Sequence, residues 1–255
     1  MSPMITPTCS LHAGNLILVN GAHPCREPLP EQALVPVNGT SGEVLLERRA
    51  AALLEKLMGE IRGWAKIVAV SGWRSRDEQQ QIWNNAMEEH GEIFTKQYVA
   101  PPGCSEHETG LAIDLGLKQE PVDDIRPAFP YTGICQTFRQ KAARYGFIQR
   151  YPEGKEHITG IAHEPWHFRY VGAPHAEIMT RFGFTLEEYH LFLMRYPQGK
   201  RSFLFDGGTI RFEISYLHSY DAIHASPIAE DGYACMISGN NAEGFIITRW
   251  KERGG

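Results

Sequence analysis

The stretch GCSEHETGLAIDL, Gly103 to Leu115, begins with loop-forming residues and ends in strict alternation. Leu111, Ile113, Leu115 and Leu117 share one face of an extended strand, while Ala112, Asp114 and Gly116 share the other. An acid can therefore stand inside an apolar run without entering the apolar layer, and the small residues beside it leave room for a partner of its carboxylate. His107 lies upstream, behind Thr109-Gly110, which reads as a turn. An imidazole and a carboxylate over a small-residue floor suit a metal ion. The pair alone is equally a capping Asp beside a surface His, so the metal reading needs a third ligand.

A second stretch repeats the pattern. In PWHFRYV, Pro165 to Val171, the aromatic residues Trp166, Phe168 and Tyr170 form one face, and His167, Arg169 and Val171 form the other. If the two strands are neighbours, His107, Asp114 and His167 converge on one ion, with a fourth position left to water, as in a catalytic rather than a structural zinc site. Two imidazoles and a carboxylate suit zinc. Glu164 precedes His167 by three residues, so in an ideal strand they face opposite ways. They meet only if the chain turns at Glu164-Pro165, where proline forces its predecessor out of the helical region. In that case Glu164 can take a proton from water and pass it to a leaving amine. Arg74 sits between a strand and a capped helix, where a permanently charged guanidinium can stabilise an oxyanion. His163 is near enough to compete as a ligand, but its setting lacks the alternation that aims His167.

Composition bounds the rest. With 255 residues and 42% hydrophobic content, the chain can bury a full core. A net charge of -5 and a pI near 6.1 offer no basic footprint for nucleic acid and no polybasic membrane anchor. No Lys or Arg precedes Arg26, and the longest early apolar piece, Leu16 to Val19, is far shorter than a signal or membrane-spanning core. The five cysteines, Cys9, Cys25, Cys104, Cys135 and Cys235, form no CxxC pair and fit reduced thiols in a cytoplasm. Cys104 is three residues from His107 and is treated as a neighbour of the site.

The periodicity predicts an α+β fold: a central antiparallel sheet with flanking helices carrying a mononuclear zinc site, followed by a small C-terminal antiparallel β appendage. Residues 1–42 are rich in turn formers, with one edge-strand candidate, Leu16 to Asn20. A helix is predicted from Glu43 to Arg62, with Leu46, Ala50, Leu53, Leu54, Leu57 and Ile61 on one face. Lys66 to Ser71 reads as a strand, and Ser75 with Glu78 as a capping box opening a helix to about His90. After the Asp114 strand and a loop at Glu120 to Pro130 come a helix over Gly133 to Tyr145 and strands at Phe147 to Arg150 and Trp166 to Val171. Helices follow over Pro174 to Phe182 and Leu186 to Arg195. After Pro197 short alternating runs such as FLFDGGTIRFEISY mark the appendage. The expected division is a catalytic domain over residues 1–197 and a β-rich unit over residues 198–255.

SGWRSRDEQ, SEHETGLAIDL and EPWHFRYVG, in that order between about residues 64 and 172, closely resemble the zinc D-alanyl-D-alanine peptidases, a family that shares a metal-binding fold with Hedgehog signalling domains. Within it the chain is most similar to the bifunctional D,D-dipeptidase/D,D-carboxypeptidases of glycopeptide-resistance operons, the VanXY type. The resemblance implies one zinc ion per chain on His107, Asp114 and His167, a general base at Glu164 and an electrophilic Arg74. It also implies that Ser105 helps hold the substrate's terminal carboxylate and that Gln79 contacts substrate. The implied substrates are D-Ala-D-Ala and the UDP-linked muramyl pentapeptide of a cytoplasm, with a homodimer as the one protein partnership to consider. A peptidoglycan L,D-endopeptidase and a zinc-stabilised binding module are the rival readings; the first would be favoured by export or wall-binding repeats, and the second has no need of Glu164 and Arg74.

Overall fold

The computed structural model describes residues 10–38, 44–118, 122–224 and 232–252. Cys9, the predicted helix start at Glu43, Glu120 of the predicted loop and residues 225–231 of the appendage lie outside these. The chain divides into two compact units, Val19–Thr185 and a unit formed by Met1–Leu18 with Leu186–Gly255. By compactness the chain parts before Leu186, and residues 10–18 belong to the C-terminal unit.

In the first unit, β1 (Leu34–Pro36) pairs with β2 (Leu45–Glu47), and α1 (Arg48–Ile61) follows directly. Of the helix predicted from Glu43 onward, Leu45–Glu47 is strand instead. Leu45 and Leu46 bond across to β1, and the Glu47 carboxylate then accepts from the N–H groups of Arg49 and Ala50, capping the helix. The predicted apolar face is the buried one: Ala50, Leu54 and Leu57 are fully enclosed.

β3 (Ile67–Ser71) leads into α2 (Arg76–Tyr98), which opens with the predicted Ser75/Glu78 capping box. It runs past the expected end at His90 to Tyr98, broken at Gly91, whose φ of 79° and ψ of 173° are not helical. β4 (Ala112–Leu117), α3 (Gly133–Ala142), β5 (Phe147–Tyr151), the short α4 (Glu156–Thr159), β6 (Glu164–Tyr170) and α5 (His175–Phe182) complete the unit.

The four strands form one antiparallel sheet in the order β3-β4-β6-β5, so the Asp114 and His167 strands are neighbours. One face meets α1 and α3. Leu111, Ile113, Leu115, Trp166, Phe168 and Tyr170 enter a single core there with Leu54, Leu57 and Phe138. Phe168 stacks edge-on with Phe129 and Phe138, at centroid distances of 5.4 and 4.8 Å. The other face, carrying Asp114 and His167, is left for the site.

The second unit contains α6 (Leu186–Leu193) and strands β7 (Phe203–Asp206), β8 (Ile210–His218), β9 (Ala234–Gly239) and β10 (Gly244–Glu252), in antiparallel order β7-β8-β10-β9. Leu217, Phe245 and Ile247 form its core with Leu11 and Ile237 packed against it. The edge strand expected at Leu16 to Asn20 does not form. Leu16, Ile17 and Leu18 are nevertheless buried, because single groups satisfy the backbone: Ser238 Oγ accepts from Leu16 N–H at 3.0 Å and the Asn240 carbonyl from Leu18 N–H at 3.1 Å.

Candidate active site

His107 is presented by a single 3-10 turn, Glu106–Thr109, capped by Ser105, whose hydroxyl accepts from His107 N–H at 3.4 Å. Gly110 ends the turn with φ of 67°, and its carbonyl accepts from Glu47 N–H at 2.8 Å, tying the turn to the start of α1. The His107 ring is buried, with Nδ1 2.6 Å from the Gly72 carbonyl. A carbonyl only accepts, so Nδ1 carries the proton and the Nε2 lone pair projects into the cleft, 3.2 Å from Asp114 Oδ2. Gly72 suits this role for a second reason: a Cβ there would collide with the Leu45 carbonyl.

Asp114 stands opposite Ser71 on one side and His167 on the other. His167 Nδ1 lies 2.8 Å from Asp114 Oδ1. Ligand atoms of His107, Asp114 and His167 all lie within 4.8 Å of one another, and all three residues are buried. Two imidazole nitrogens and one carboxylate oxygen, held by the backbone of three elements, are a donor set suited to zinc, and this convergence leaves one coordination position for water or substrate.

The electrostatics agree with a cation site. Burial, then the Arg74 charge, push His107 down to about 4, keeping its ring neutral and able to ligate. Burial works against ionisation of Asp114, but the two histidines hold its carboxyl well below the usual range. Burial likewise opposes a proton on His167, yet the Asp114 hydrogen bond and charge, with Glu106 and Glu164, push it up to about 9. The Asp114 and Glu106 carboxylates around one ring, with Glu164 close by, create a demand for positive charge that a divalent ion answers.

Glu164 reaches the site without the turn expected at Glu164-Pro165. It is the first residue of β6, and the ladder is irregular there: Gln149 pairs with Phe168 and Tyr151 with Glu164, so two steps along β5 match four along β6. The irregularity lies between Phe168 and Glu164, and beyond it Glu164 stands beside His167 at the cleft. Its Oε2 lies 3.9 Å from His167 Nδ1, and burial, helped by the negative charges of Asp114 and Glu106, pushes its pKa up to about 8.

Arg74 spans the opposite side. Nη2 lies 3.5 Å from Asp114 Oδ2, Nη1 donates to Gln79 Oε1 at 3.1 Å, and Nε is buried without an acceptor. Arg74 lines a cleft of about 360 Å³ together with Gln79, Ser105, His107, Asp114, Glu164 and His167 among others. Gln79 lines the cleft, but its amide is engaged at both ends, since Nε2 donates to the Ala100 carbonyl at 2.8 Å. Arg74→Lys keeps the charge but loses the fork that Gln79 and Asp114 orient. Steady-state kinetics are expected to show kcat lower by about 100- to 1,000-fold with zinc retained; near wild-type turnover would remove the guanidinium from the chemistry.

Sequence reasoning missed Glu106, Arg150 and Arg169. Both arginines meet Glu106 Oε1 at 2.8 Å, and all three side chains are fully enclosed. Alternation did place Arg169 on the ligand face, but no local signal showed that it meets a glutamate from the turn. His163 instead stacks on Tyr131, whose hydroxyl is 2.7 Å from its Nε2.

A buried two-histidine, one-aspartate centre beside a second acid and an arginine at the same cleft defines a metallopeptidase type of hydrolase site. The sequence profile of the VanY family, D-alanyl-D-alanine carboxypeptidase, matches residues 43–173, and the chain belongs to this family. It is 44% identical over 179 residues to the bifunctional D-Ala-D-Ala dipeptidase and D-Ala-D-Ala carboxypeptidase VanXYC of Enterococcus gallinarum, covering 70% of this chain and 94% of the relative. The vancomycin-resistance D,D-dipeptidase VanXYg, solved in complex with a D-Ala-D-Ala phosphinate analogue, superposes with a TM-score of 0.86 at 44% identity, over 94% of this chain and 95% of that one. A mutant of the D,D-pentapeptidase VanY from a VanB-type resistance cassette, solved with Zn(II), matches at TM-score 0.55 and 31% identity over 69% of this chain and 98% of its own. Among the described residues no helix is long and apolar enough to cross a membrane.

Proposed function

We propose that the protein removes the terminal D-Ala from the dipeptide D-Ala-D-Ala and from UDP-linked muramyl pentapeptide ending in D-Ala, using one zinc ion per chain and acting in the cytoplasm, where both substrates are made. Its effect is to withdraw the cell-wall precursors that glycopeptide antibiotics bind. The observation that carries this reading is the convergence of His107, Asp114 and His167 with Glu164 and Arg74 on one cleft.

Zinc held by His107, Asp114 and His167 would lower the pKa of a bound water and polarise the scissile carbonyl. Glu164 takes the proton of the attacking water and returns it to the amine of the departing D-Ala; a carboxyl whose pKa is raised toward neutrality suits both transfers. Arg74, which lines the cleft, donates to the oxyanion that forms at the carbonyl. Ser105 holds the substrate's terminal carboxylate, and Gln79 keeps the guanidinium aimed at the cleft.

The test is D-alanine release from D-Ala-D-Ala and from the UDP-linked pentapeptide, with purified protein, a chelator and zinc add-back. Release from both substrates that the chelator abolishes and zinc restores is the expected result. Release from neither, with zinc still bound, would shift the assignment to an endopeptidase or to a binding module.

A further inference from the structure

The pair behind His167 is the least explained feature of the site. Glu106 Oε2 and His167 Nε2 are both buried, neither has a hydrogen bond, and they lie 3.5 Å from each other. Leaving two such atoms unpaired is costly, and each is what the other needs: the carboxylate oxygen accepts and the ring nitrogen can donate. The rest of Glu106 is built to keep it charged and still. Oε1 accepts from Arg150 Nε and Arg169 Nη1, both at 2.8 Å, so the carboxylate cannot rotate without breaking both bonds. Tyr151 packs against the imidazole with its ring centroid 4.9 Å away, and the Arg150 guanidinium lies over that same tyrosine.

We infer that Glu106, clamped by Arg150 and Arg169, is a positioning residue for His167: it accepts a hydrogen bond from Nε2–H, holds the proton there and thereby leaves Nδ1 for the metal. The inference rests on the metal reading of the site given above. It also explains why the turn that carries His107 places an acid next to that ligand: one short segment supplies a ligand and fixes the tautomer of another, on a different strand. A neutral ring free to choose its tautomer would present Nδ1 only part of the time, and each misplaced proton would have to leave before metal could bind.

The test uses the zinc-loaded protein and its cadmium-113 form with nitrogen-15 labelled histidine. Metal coupling to Nδ1 of His167, with a proton on its Nε2, is expected. Coupling to Nε2 of His167 would overturn the inference while leaving the metal site standing. If the wild-type protein takes up no zinc, the metal reading fails and the inference falls with it. In parallel, Glu106→Gln is expected to weaken zinc binding by about 10- to 100-fold in a competitive chelator titration. A folded Glu106→Gln protein with wild-type zinc affinity would also overturn it. Should that variant fail to fold, because two buried arginines lose their counter-charge, the tautomer in the wild-type protein decides.

Discussion

Glu164→Ala is expected to bind zinc as the wild type does and to lose hydrolysis by a factor of about 100 to 10,000. The reason is geometric. Glu164 approaches the metal-ligand set, with Oε2 3.9 Å from His167 Nδ1, but contributes no atom to it. Removing it takes away the proton carrier and leaves His107, Asp114 and His167 in place. The fold is expected to tolerate the change, since burial of this carboxyl is itself unfavourable, as its raised pKa shows. The check is single-turnover hydrolysis of D-Ala-D-Ala beside zinc content by elemental analysis. A variant that retains wild-type turnover would end the proton-transfer role; one that loses zinc as well would make Glu164 a ligand.

His167→Ala is expected to lose both zinc and hydrolysis. The variant deletes one of three ligands, leaves Asp114 Oδ1 without its 2.8 Å partner and strips Glu106 Oε2 of the group it faces. The fall in zinc affinity should exceed the roughly 10- to 100-fold expected when only a supporting neighbour is removed. His163→Ala is the matched control: its ring is held by Tyr131, away from the ligand set, so zinc binding and turnover should be unchanged. Retention of tight zinc by His167→Ala, or its loss in His163→Ala, would exchange the two assignments.

Much of this site was legible because the information was local. Alternation in LAIDL and WHFRYV separates core-facing from ligand-facing residues at a period that no other structure shares, and the core does contain Leu111, Ile113, Leu115, Trp166, Phe168 and Tyr170. The Ser75/Glu78 capping box fixed the start of α2 and so the position of Arg74 ahead of it. Where the local pattern misled, a distant partner had overridden it. Leu46 fits the helical stripe of α1 but is claimed by β1, and Leu16 to Asn20 has strand composition, yet Leu16 and Leu18 bond to single groups in and beside β9. Gln79, for which the resemblance implies a substrate contact, has an amide that bridges Arg74 and the Ala100 carbonyl.

The sequence by itself determined the two strands, their inner and outer faces, and hence which histidines and which aspartate stand available as ligands, because side-chain alternation depends only on the extended backbone. Tertiary structure alone decided that β4 and β6 lie side by side with Asp114 opposite His167, and that Glu164, past an irregularity in the ladder, comes within 3.9 Å of His167. It also decided that Glu106 lies buried between two arginines and one histidine. Each of these is a pairing between residues far apart in the chain, and such a pairing is selected by the packing of the whole sheet against its helices rather than by any preference of the residues that meet.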